Sequence, residues 1–433
     1  MNLAEKIQTR SAKIAVIGLG YVGLPLAVAC AEAGFTVFGI DMDKKKVDSI
    51  NRGESLVQDV SGAQLSAVVS EKRLQAFPDY SPMAAVDVAV ICVPTPLNKS
   101  GDPDVSYILA VAEALRDNLQ PNVLVVLEST TFPGTTQDLL APILAESGLT
   151  IGKDLFVAFS PERIDPGNKR YHLQNVPKVV GGVTPACQSL AVAFYRTIIE
   201  QVVPVSSPMA AEMTKLLENT FRSVNIALVN EMAIMCDKLG LNIWEIVDAA
   251  ATKPYGFMKF VPGPGVGGHC IPVDPHYLSW KLKQVNYNAR FIQLAGEINA
   301  EMPIFVVDKV VDALNADRKA VNGARILMLG VAYKPDIDDV RESPALDVLR
   351  LLELRGAELY YNDPHVPSLK MNGTVLTSQP LSPELIASMD CVVVITAHSA
   401  YDWTSIKAAA KVIVDTRNAV TVEDGDTVRV LRL

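Results

Sequence analysis

The chain has 433 residues, 49% of them hydrophobic, enough for two or three separate cores rather than one. A formal net charge of −9 argues against a general nucleic-acid or membrane-surface binder, because such partners select broad basic patches. The cysteines, Cys30, Cys92, Cys187, Cys236, Cys270 and Cys391, are scattered with no C-x-x-C pair, which predicts reduced thiols and a cytoplasmic protein.

Lys6, Arg10 and Lys13 precede an uncharged run over 14–31 that imitates an export signal. Gly18, Gly20, Gly23 and Pro25 interrupt it where a nucleotide-binding turn wants them. No segment offers the ~20 continuous apolar residues of a bilayer span, so membrane insertion is not expected. A strand over 14–17 runs into Gly18-Leu19-Gly20-Tyr21-Val22-Gly23 and then a helix over 24–33. A second strand, 36–40, ends at Asp41.

Glycines in this pattern permit a tight turn, close approach of backbone to a pyrophosphate and close packing of helix on strand, while the helix N-terminus attracts negative charge. Asp41 would bond the ribose hydroxyls and repel a 2′-phosphate, favouring NAD over NADP. Lys44, Lys45 and Lys46 either contact phosphate or form a solvated helix start.

Strands over 86–93, 123–127 and 156–159, a helix over 135–146 and a strand near 179–181 continue the alternation to about residue 205, the rhythm of a parallel sheet with helices on both faces. Val93-Pro94-Thr95-Pro96 and Glu128-Ser129-Thr130 each end a strand on the edge where such sheets bind ligands, or are simply turns. Residues 209–239 lack Gly and Pro and repeat apolar positions at helical spacing, with Gly240 as the cap. A second helix is expected over 291–314, and the apolar faces of the two either form a dimer surface or pack internally. A new alternating unit begins at residue 324: strands over 325–329, 358–361, 391–395 and 412–414, with a helix over 344–354. The expected fold class is therefore α/β, two doubly wound Rossmann-like domains joined by a long central helix and a helical middle region.

One thiol stands apart. Cys270 lies in Gly267-Gly268-His269-Cys270-Ile271-Pro272-Val273-Asp274-Pro275, a shaped loop whose exposed N–H groups would lower a thiol pKa. A thiolate can add to an aldehyde, lose hydride as a thiohemiacetal and become a thioester. Asp274 either positions a water or caps the following helix. His269, Cys270, Asp274 and His276 invite a zinc reading, but adjacent ligands rarely suit one tetrahedral ion, and no metal is expected. Lys215 and Asn219, four apart on the long helix, share a face with Arg222 close by. They either stabilise an alkoxide or face solvent.

Gly18 to Pro25, Ser160-Pro161-Glu162-Arg163, Lys215 with Asn219, the Cys270 loop with Asp274, and Gly330-Val331-Ala332-Tyr333-Lys334 through Arg341-Glu342-Ser343-Pro344 occur in one order. This resembles the UDP-glucose/GDP-mannose dehydrogenase family over essentially the whole chain. The resemblance implies three regions: an NAD-binding domain (1–205), a central helical dimerisation region with the Cys loop (206–318), and a C-terminal UDP-sugar-binding domain (319–433). It implies oxidation of a nucleotide sugar at its 6-hydroxymethyl group to a carboxylate, using two NAD in turn. In that likeness Cys270 is the nucleophile, Lys215 and Asn219 stabilise the oxyanion, Asp274 serves the hydrolytic water, and Thr130 and Glu162 stand nearby. Tyr21, Val22, Lys46, Pro94, Thr95, Thr130 and Arg341 join the glycines and Asp41 around NAD. Glu162, Arg163, Lys215, Asn219, Lys259, Gly267 and Lys334 join around the substrate.

Residues 251–257 and 262–275 look most like the UDP-N-acetylglucosamine 6-dehydrogenases, makers of precursors for surface polysaccharide such as lipopolysaccharide O-antigen. The same chemistry on UDP-N-acetylgalactosamine, UDP-N-acetylmannosamine or UDP-glucose is the alternative, and a two-electron alcohol or hydroxy-acid dehydrogenase a further one. Tyr333 and Ile337 replace the commoner Phe and Thr of the family. An arginine expected ahead of the glycine loop is absent, leaving Lys253 or Lys259 to take its place.

Overall fold

The computed structural model describes every residue except Gln58, Lys99, Ser100, Pro166, Gly167, Lys169, His269 and Asn372. It forms two compact units, Met1–Glu218 with His276–Tyr287, and Asn219–Pro275 with Asn288–Leu433.

The first unit is built on eight strands: β1 (Lys13–Ile17), β2 (Thr36–Ile40), β3 (Leu74–Phe77), β4 (Val88–Ile91), β5 (Val123–Leu127), β6 (Leu155–Phe159), β7 (Lys178–Gly182) and β8 (Val202–Val205). Their order is β3-β2-β1-β4-β5-β6-β7-β8. The first six are mutually parallel in the arrangement of dinucleotide-binding domains. β4, β5 and β6 are buried along their whole length because helices cover both faces, which is why they read as unbroken apolar runs. Successive β1 side chains enter opposite cores: Ile14 and Val16 join one cluster, Ala15 and Ile17 the other. β7 departs from the expected parallel rhythm. It runs antiparallel to β6, with Phe159 opposite Gly181, and β8 is parallel to β7. Its first residue therefore lies at the carboxyl edge of β5 and β6.

The central helix spans Pro208–Leu239, 32 residues, roughly 48 Å at the usual rise, and the boundary between units falls within it. Gly240 ends it as expected, at φ +68°, with Leu241 N–H reaching back to Cys236 O at 2.8 Å. The second long helix, Arg290–Ala316, runs through Pro303, so the helical periodicity on either side outweighs the missing N–H.

The second unit holds β9 (Arg325–Leu329), β10 (Glu358–Asn362), β11 (Ser368–Met371), β12 (Thr374–Thr377), β13 (Cys391–Val394), β14 (Val412–Asp415) and β15 (Arg429–Arg432). Five form a parallel sheet in the order β10-β9-β13-β14-β15, and β11 with β12 makes a separate hairpin. Among the described residues no helix is long and apolar enough to cross a membrane.

Candidate active site

The glycine turn after β1 fits a dinucleotide through three different properties. Gly18 has φ +93°, and a Cβ there would fall 2.5 Å from the Cys92 carbonyl oxygen. A Cβ on Gly23 would fall 1.8 Å from Gly18 O, so only glycine lets the helix Gly23–Glu32 start so close to the strand. Gly20 faces open space, and Val22 provides no side-chain cap; Leu24 N–H is taken by Gly20 O at 3.0 Å and Pro25 has none, so an anion would be met by the turn and the very start of the helix. Tyr21 beside them is exposed. Asp41 sits past β2 with its carboxylate accepting Leu19 N–H at 3.0 Å and Lys46 Nζ at 2.7 Å. Burial alone would raise this carboxyl, but Lys46 and the N–H groups of Asp43 and Leu19 hold it below its ordinary value. Lys46 is thus engaged by Asp41 rather than standing as a separate phosphate anchor.

The remaining first-unit candidates line the same carboxyl edge. Pro94 and Thr95 follow β4 and Thr130 follows β5; Thr95 Oγ1 donates to Thr130 O at 2.7 Å, locking the two loops together. Leu127 pairs with Phe159, so Thr130 and Glu162 stand at equivalent steps beyond adjacent strands. Glu162 accepts the N–H groups of Arg163 and Ile164, each at 2.6 Å, and lies 3.4 Å from Lys178 Nζ. Arg163 was expected at substrate, yet its guanidinium holds Glu218 at 2.7 Å and bonds Pro177 O, a brace between this loop and the central helix. Lys215 is buried, with no hydrogen-bond or ion-pair partner among the described residues. An ammonium in such a place is costly until an anion arrives.

In the second unit, Cys270 is half-buried while the other cysteines are fully buried. Burial pushes the thiols of Cys30, Cys92 and Cys391 up, the last to about 12, which disfavours the thiolate at each. From Cys270 the chain turns directly into the helix Asp274–Lys283: Asp274 N–H donates to Cys270 O at 2.8 Å. Asp274 does begin that helix, and its buried carboxylate also accepts Asn219 Nδ2 at 2.5 Å. Carboxylate and amide are thus joined directly, and the Cys270 backbone is tied to the same helix start. His269 lies outside the described residues.

The glycines before Cys270 are required by what covers them. A Cβ on Gly267 would fall 2.6 Å from Tyr333 Cβ, and one on Gly268 2.9 Å from the Tyr333 ring. Gly268, at φ +84°, donates its N–H to Arg341 O at 3.0 Å. The loops carrying Lys334 and Arg341 therefore rest on the Cys270 loop. The Arg341 guanidinium itself pairs with Asp339 at 2.6 Å. Of the two lysines ahead of the glycine loop, Lys259 pairs with Asp248 at 2.5 Å, and Lys253 lies 5.0 Å over the Tyr255 ring.

Asp363, Arg417 and Lys178 escaped the sequence reading, which singles out Glu128 only as part of a strand-end segment. Asp363, just past β10, accepts five hydrogen bonds, from the N–H groups of Val331, Ala332, His365 and Val366 and from His398 Nε2. It fixes the start of the loop that carries Lys334. Arg417, just past β14, stands against Gly263; its Nε bonds Ile395 O at 2.7 Å, the other guanidinium nitrogens have no partner among the described residues, and burial pushes it down to about 10. Lys178 and Glu128 form a buried pair at 2.8 Å. Asp363, Arg417 and Glu128 follow the carboxyl ends of their strands, which is the signal that would have found them, whereas Lys178 begins β7 and reaches that edge only because the strand is reversed.

A glycine turn fitted to a dinucleotide in one unit and a loop with a half-buried thiol in the other are features expected of an NAD-dependent oxidoreductase. The sequence matches the NAD binding domain of the UDP-glucose/GDP-mannose dehydrogenase family over residues 12–199, its central domain over 209–301 and its UDP binding domain over 327–422. The chain belongs to that family, and is a nucleotide-sugar dehydrogenase using NAD. It is 34% identical over 421 residues to the UDP-N-acetyl-D-mannosamine dehydrogenase of Methanococcus maripaludis, covering 94% of this chain and 92% of the relative. The Escherichia coli K12 protein of the same name is 37% identical over 404 residues, with 90% and 94% covered. The solved UDP-D-ManNAc dehydrogenase of Pyrococcus horikoshii superposes with a TM-score of 0.88 at 33% identity, over 97% of this chain and 99% of that one.

Proposed function

We propose that this chain oxidises the 6-hydroxymethyl group of a UDP-2-acetamido-hexose to the uronic acid, through a thiohemiacetal and a thioester on Cys270. The observation that carries the reading is the Asp274–Asn219 hydrogen bond four residues beyond Cys270, the one cysteine that is only half-buried among the described residues. Gly18, Gly20, Tyr21, Val22, Gly23, Asp41, Pro94, Thr95 and Thr130 would hold NAD, which would supply the hydride acceptor for each half of the reaction. A base, water linked to Glu162 or Asp274, removes the hydroxyl proton as the first hydride leaves. The Cys270 thiolate then adds to the aldehyde carbon, and its new C–S bond keeps the intermediate in place while reduced cofactor is exchanged. Lys215 and Asn219 stabilise the oxyanion of that adduct. Loss of the second hydride leaves a thioester, and water positioned by Asp274 breaks the C–S bond, returning the thiol and releasing the carboxylate.

Lys334 and Arg417 supply positive charge for the UDP group, and the regions 1–205, 206–318 and 319–433 divide the work as NAD-binding, helical and UDP-sugar-binding parts. The Asp339 pair leaves Arg341 a cofactor ligand only if that pair opens. Lys259 replaces the missing arginine on the same condition with Asp248. UDP-N-acetylglucosamine is the leading sugar, from residues 251–257 and 262–275; the names of the relatives favour UDP-N-acetyl-D-mannosamine as the second reading. We place the enzyme in the cytoplasm as a homodimer, supported by its unpaired cysteines and by an exposed apolar stripe on the central helix that includes Leu217, Leu228 and Leu239, 61%, 56% and 72% exposed.

A panel of UDP-sugars assayed for NADH tests the reading. Two NADH per sugar consumed are expected, with an N-acetylated sugar preferred; one NADH per sugar would mean a two-electron alcohol dehydrogenase. Cys270→Ser should stop acid production, and full acid formation by that variant would refute the covalent route.

A further inference from the structure

We propose that Lys178 is a positioning residue for the oxidation: its buried ammonium, clamped from behind by Glu128 and Tyr195, fixes where the Glu162 carboxylate stands. This rests on the reading of Glu162 as a site residue given above.

The placement follows from the reversed strand. β7 runs against β6, so Lys178, its first residue, comes to the edge where Glu128 ends β5 and Glu162 follows β6. Lys178 is 3% exposed and donates to Glu128 at 2.8 Å, with Glu162 at 3.4 Å. The Tyr195 hydroxyl, from the helix Pro185–Tyr195, donates to the other Glu128 oxygen. One ammonium therefore bridges a carboxylate sealed in the core and a carboxylate that reaches the site. On the far side Glu162 is gripped by the Arg163 and Ile164 N–H groups, so Lys178 decides which way its second oxygen turns.

Stability alone does not account for the arrangement. Burying an ion pair costs several kcal/mol per ion before any return, and well-packed apolar residues serve as well or better, as in the neighbouring strands β4 and β5. The titratable groups around the ammonium are Glu128, Glu162, Tyr195 and Cys92, and Cys30 is near enough to interact with both Glu128 and Lys178. Burial alone would depress the Lys178 ammonium, but the Glu128 and Glu162 carboxylates outweigh it and hold it above its ordinary value. Burial raises Glu128 against the pull of Lys178, and it also raises the Cys92 thiol and the Tyr195 hydroxyl. The carboxylates favour the charged ammonium, and its place between Glu128 and Glu162 lets the two acidic groups share this space.

The test is steady-state turnover of the full-length enzyme with NAD and UDP-N-acetylglucosamine, or whichever UDP-sugar the panel selects, across pH. Lys178→Met should lower kcat on the order of 10²-fold, the scale of a misplaced proton-handling group, with the KM for NAD little changed. Its kcat profile should have the acid limb displaced to higher pH, because the two carboxylates lose their common cation. Glu128→Gln/Lys178→Met removes the rival charge and should bring that limb back and recover part of kcat, while Lys178→Arg should keep it in place. A Lys178→Met profile superimposed on wild type, or a double variant no better than the single, would overturn the proposal. If Lys178→Met does not fold, Tyr195→Phe, which removes only the clamp on Glu128, must shift the limb in the same sense; coincidence with wild type would overturn it equally. A wild-type chain that oxidises no UDP-sugar would overturn the reading of Glu162 and this inference together, whereas an active wild type with indifferent Lys178 variants would overturn this inference alone.

Discussion

The turns after β1 and β9 are built alike and used differently. Gly18 and Gly330 have φ of +93° and +77°, and a Cβ on either would collide with a carbonyl oxygen of a neighbouring strand end, Cys92 at 2.5 Å or Thr396 at 2.3 Å. Both N–H groups donate across to the end of the next strand, to Ile40 O at 2.7 Å and Asn362 O at 2.9 Å. Each of those strands is followed by an aspartate that accepts the next N–H of the turn, Asp41 from Leu19 and Asp363 from Val331. After that the two part. In the first unit Gly20 and Gly23 come next and a helix starts at once; in the second the equivalent positions are Ala332 and Pro335, and a loop runs on to the helix Pro344–Leu354. Asp363 spends its carboxylate on five donors within the protein, whereas Asp41 sits at an open helix N-terminus. The turn is common to both units, and what differs is the segment downstream of it.

The largest way to break the comparison is Gly23→Ala. Its Cβ would meet Gly18 O, a backbone atom with nowhere to go, so the helix must move away from the pyrophosphate position. NAD affinity measured by calorimetry should fall on the order of 10²-fold, the usual cost of a displacement near 1 Å at a positioned ligand. Binding close to wild type would mean that the tight approach of helix to strand is not what seats the cofactor.

Exchanging the two aspartates sharpens it. Asp363→Ala strands several buried N–H groups and should cost about 3 kcal/mol of unfolding free energy, leaving NAD affinity nearly intact. Asp41→Ala should do the reverse, weakening NAD roughly tenfold and narrowing the preference over NADP, with little change in stability. Denaturant melts and cofactor titrations on the same samples check both. Similar losses on both axes for both variants would erase the distinction.

Much of this was legible in the chain because glycine and apolar periodicity are local signals. Gly18, Gly23 and Gly240 hold conformations or approaches that other residues resist, and the strands of the first sheet are unbroken apolar runs. Strand direction was not legible in the same way, and β7 was taken as one more parallel strand. The clue was negative: parallel neighbours need a long crossover, usually a helix, and residues 160–177 contain Pro161, Pro166, Gly167 and Pro177 but no helical pattern. Missing the reversal also hid Lys178, since its partners Glu128 and Glu162 lie far away in sequence. Asp363 and Arg417 were hidden for a related reason, because each follows a short strand whose neighbours are set by sheet order. The hairpin β11–β12 is largely exposed and carries no apolar run to announce it.

The finest separation lies in acid titration. Burial alone would raise both aspartates, but His398 and the N–H groups of Val331, His365 and Ala332 hold Asp363 below its ordinary value, as Lys46 with the N–H groups of Asp43 and Leu19 does for Asp41. A carboxyl lowered on folding contributes stability that is complete above its unfolded value, about 3.9, and is lost as pH falls through the folded value. Wild-type unfolding free energy should therefore drop more steeply below about pH 4 than that of Asp363→Asn or Asp41→Asn, each of which removes one such carboxyl. The flattening should be greater for Asp363→Asn, whose carboxylate is closed in by donors on every side, than for Asp41→Asn, which loses one lysine and two N–H contacts at the rim of a ligand site. Urea melts followed downward from about pH 6 measure it. An Asp363→Asn chain that loses stability as steeply as wild type would mean that the second turn holds its aspartate by packing, not by the charge on the carboxylate.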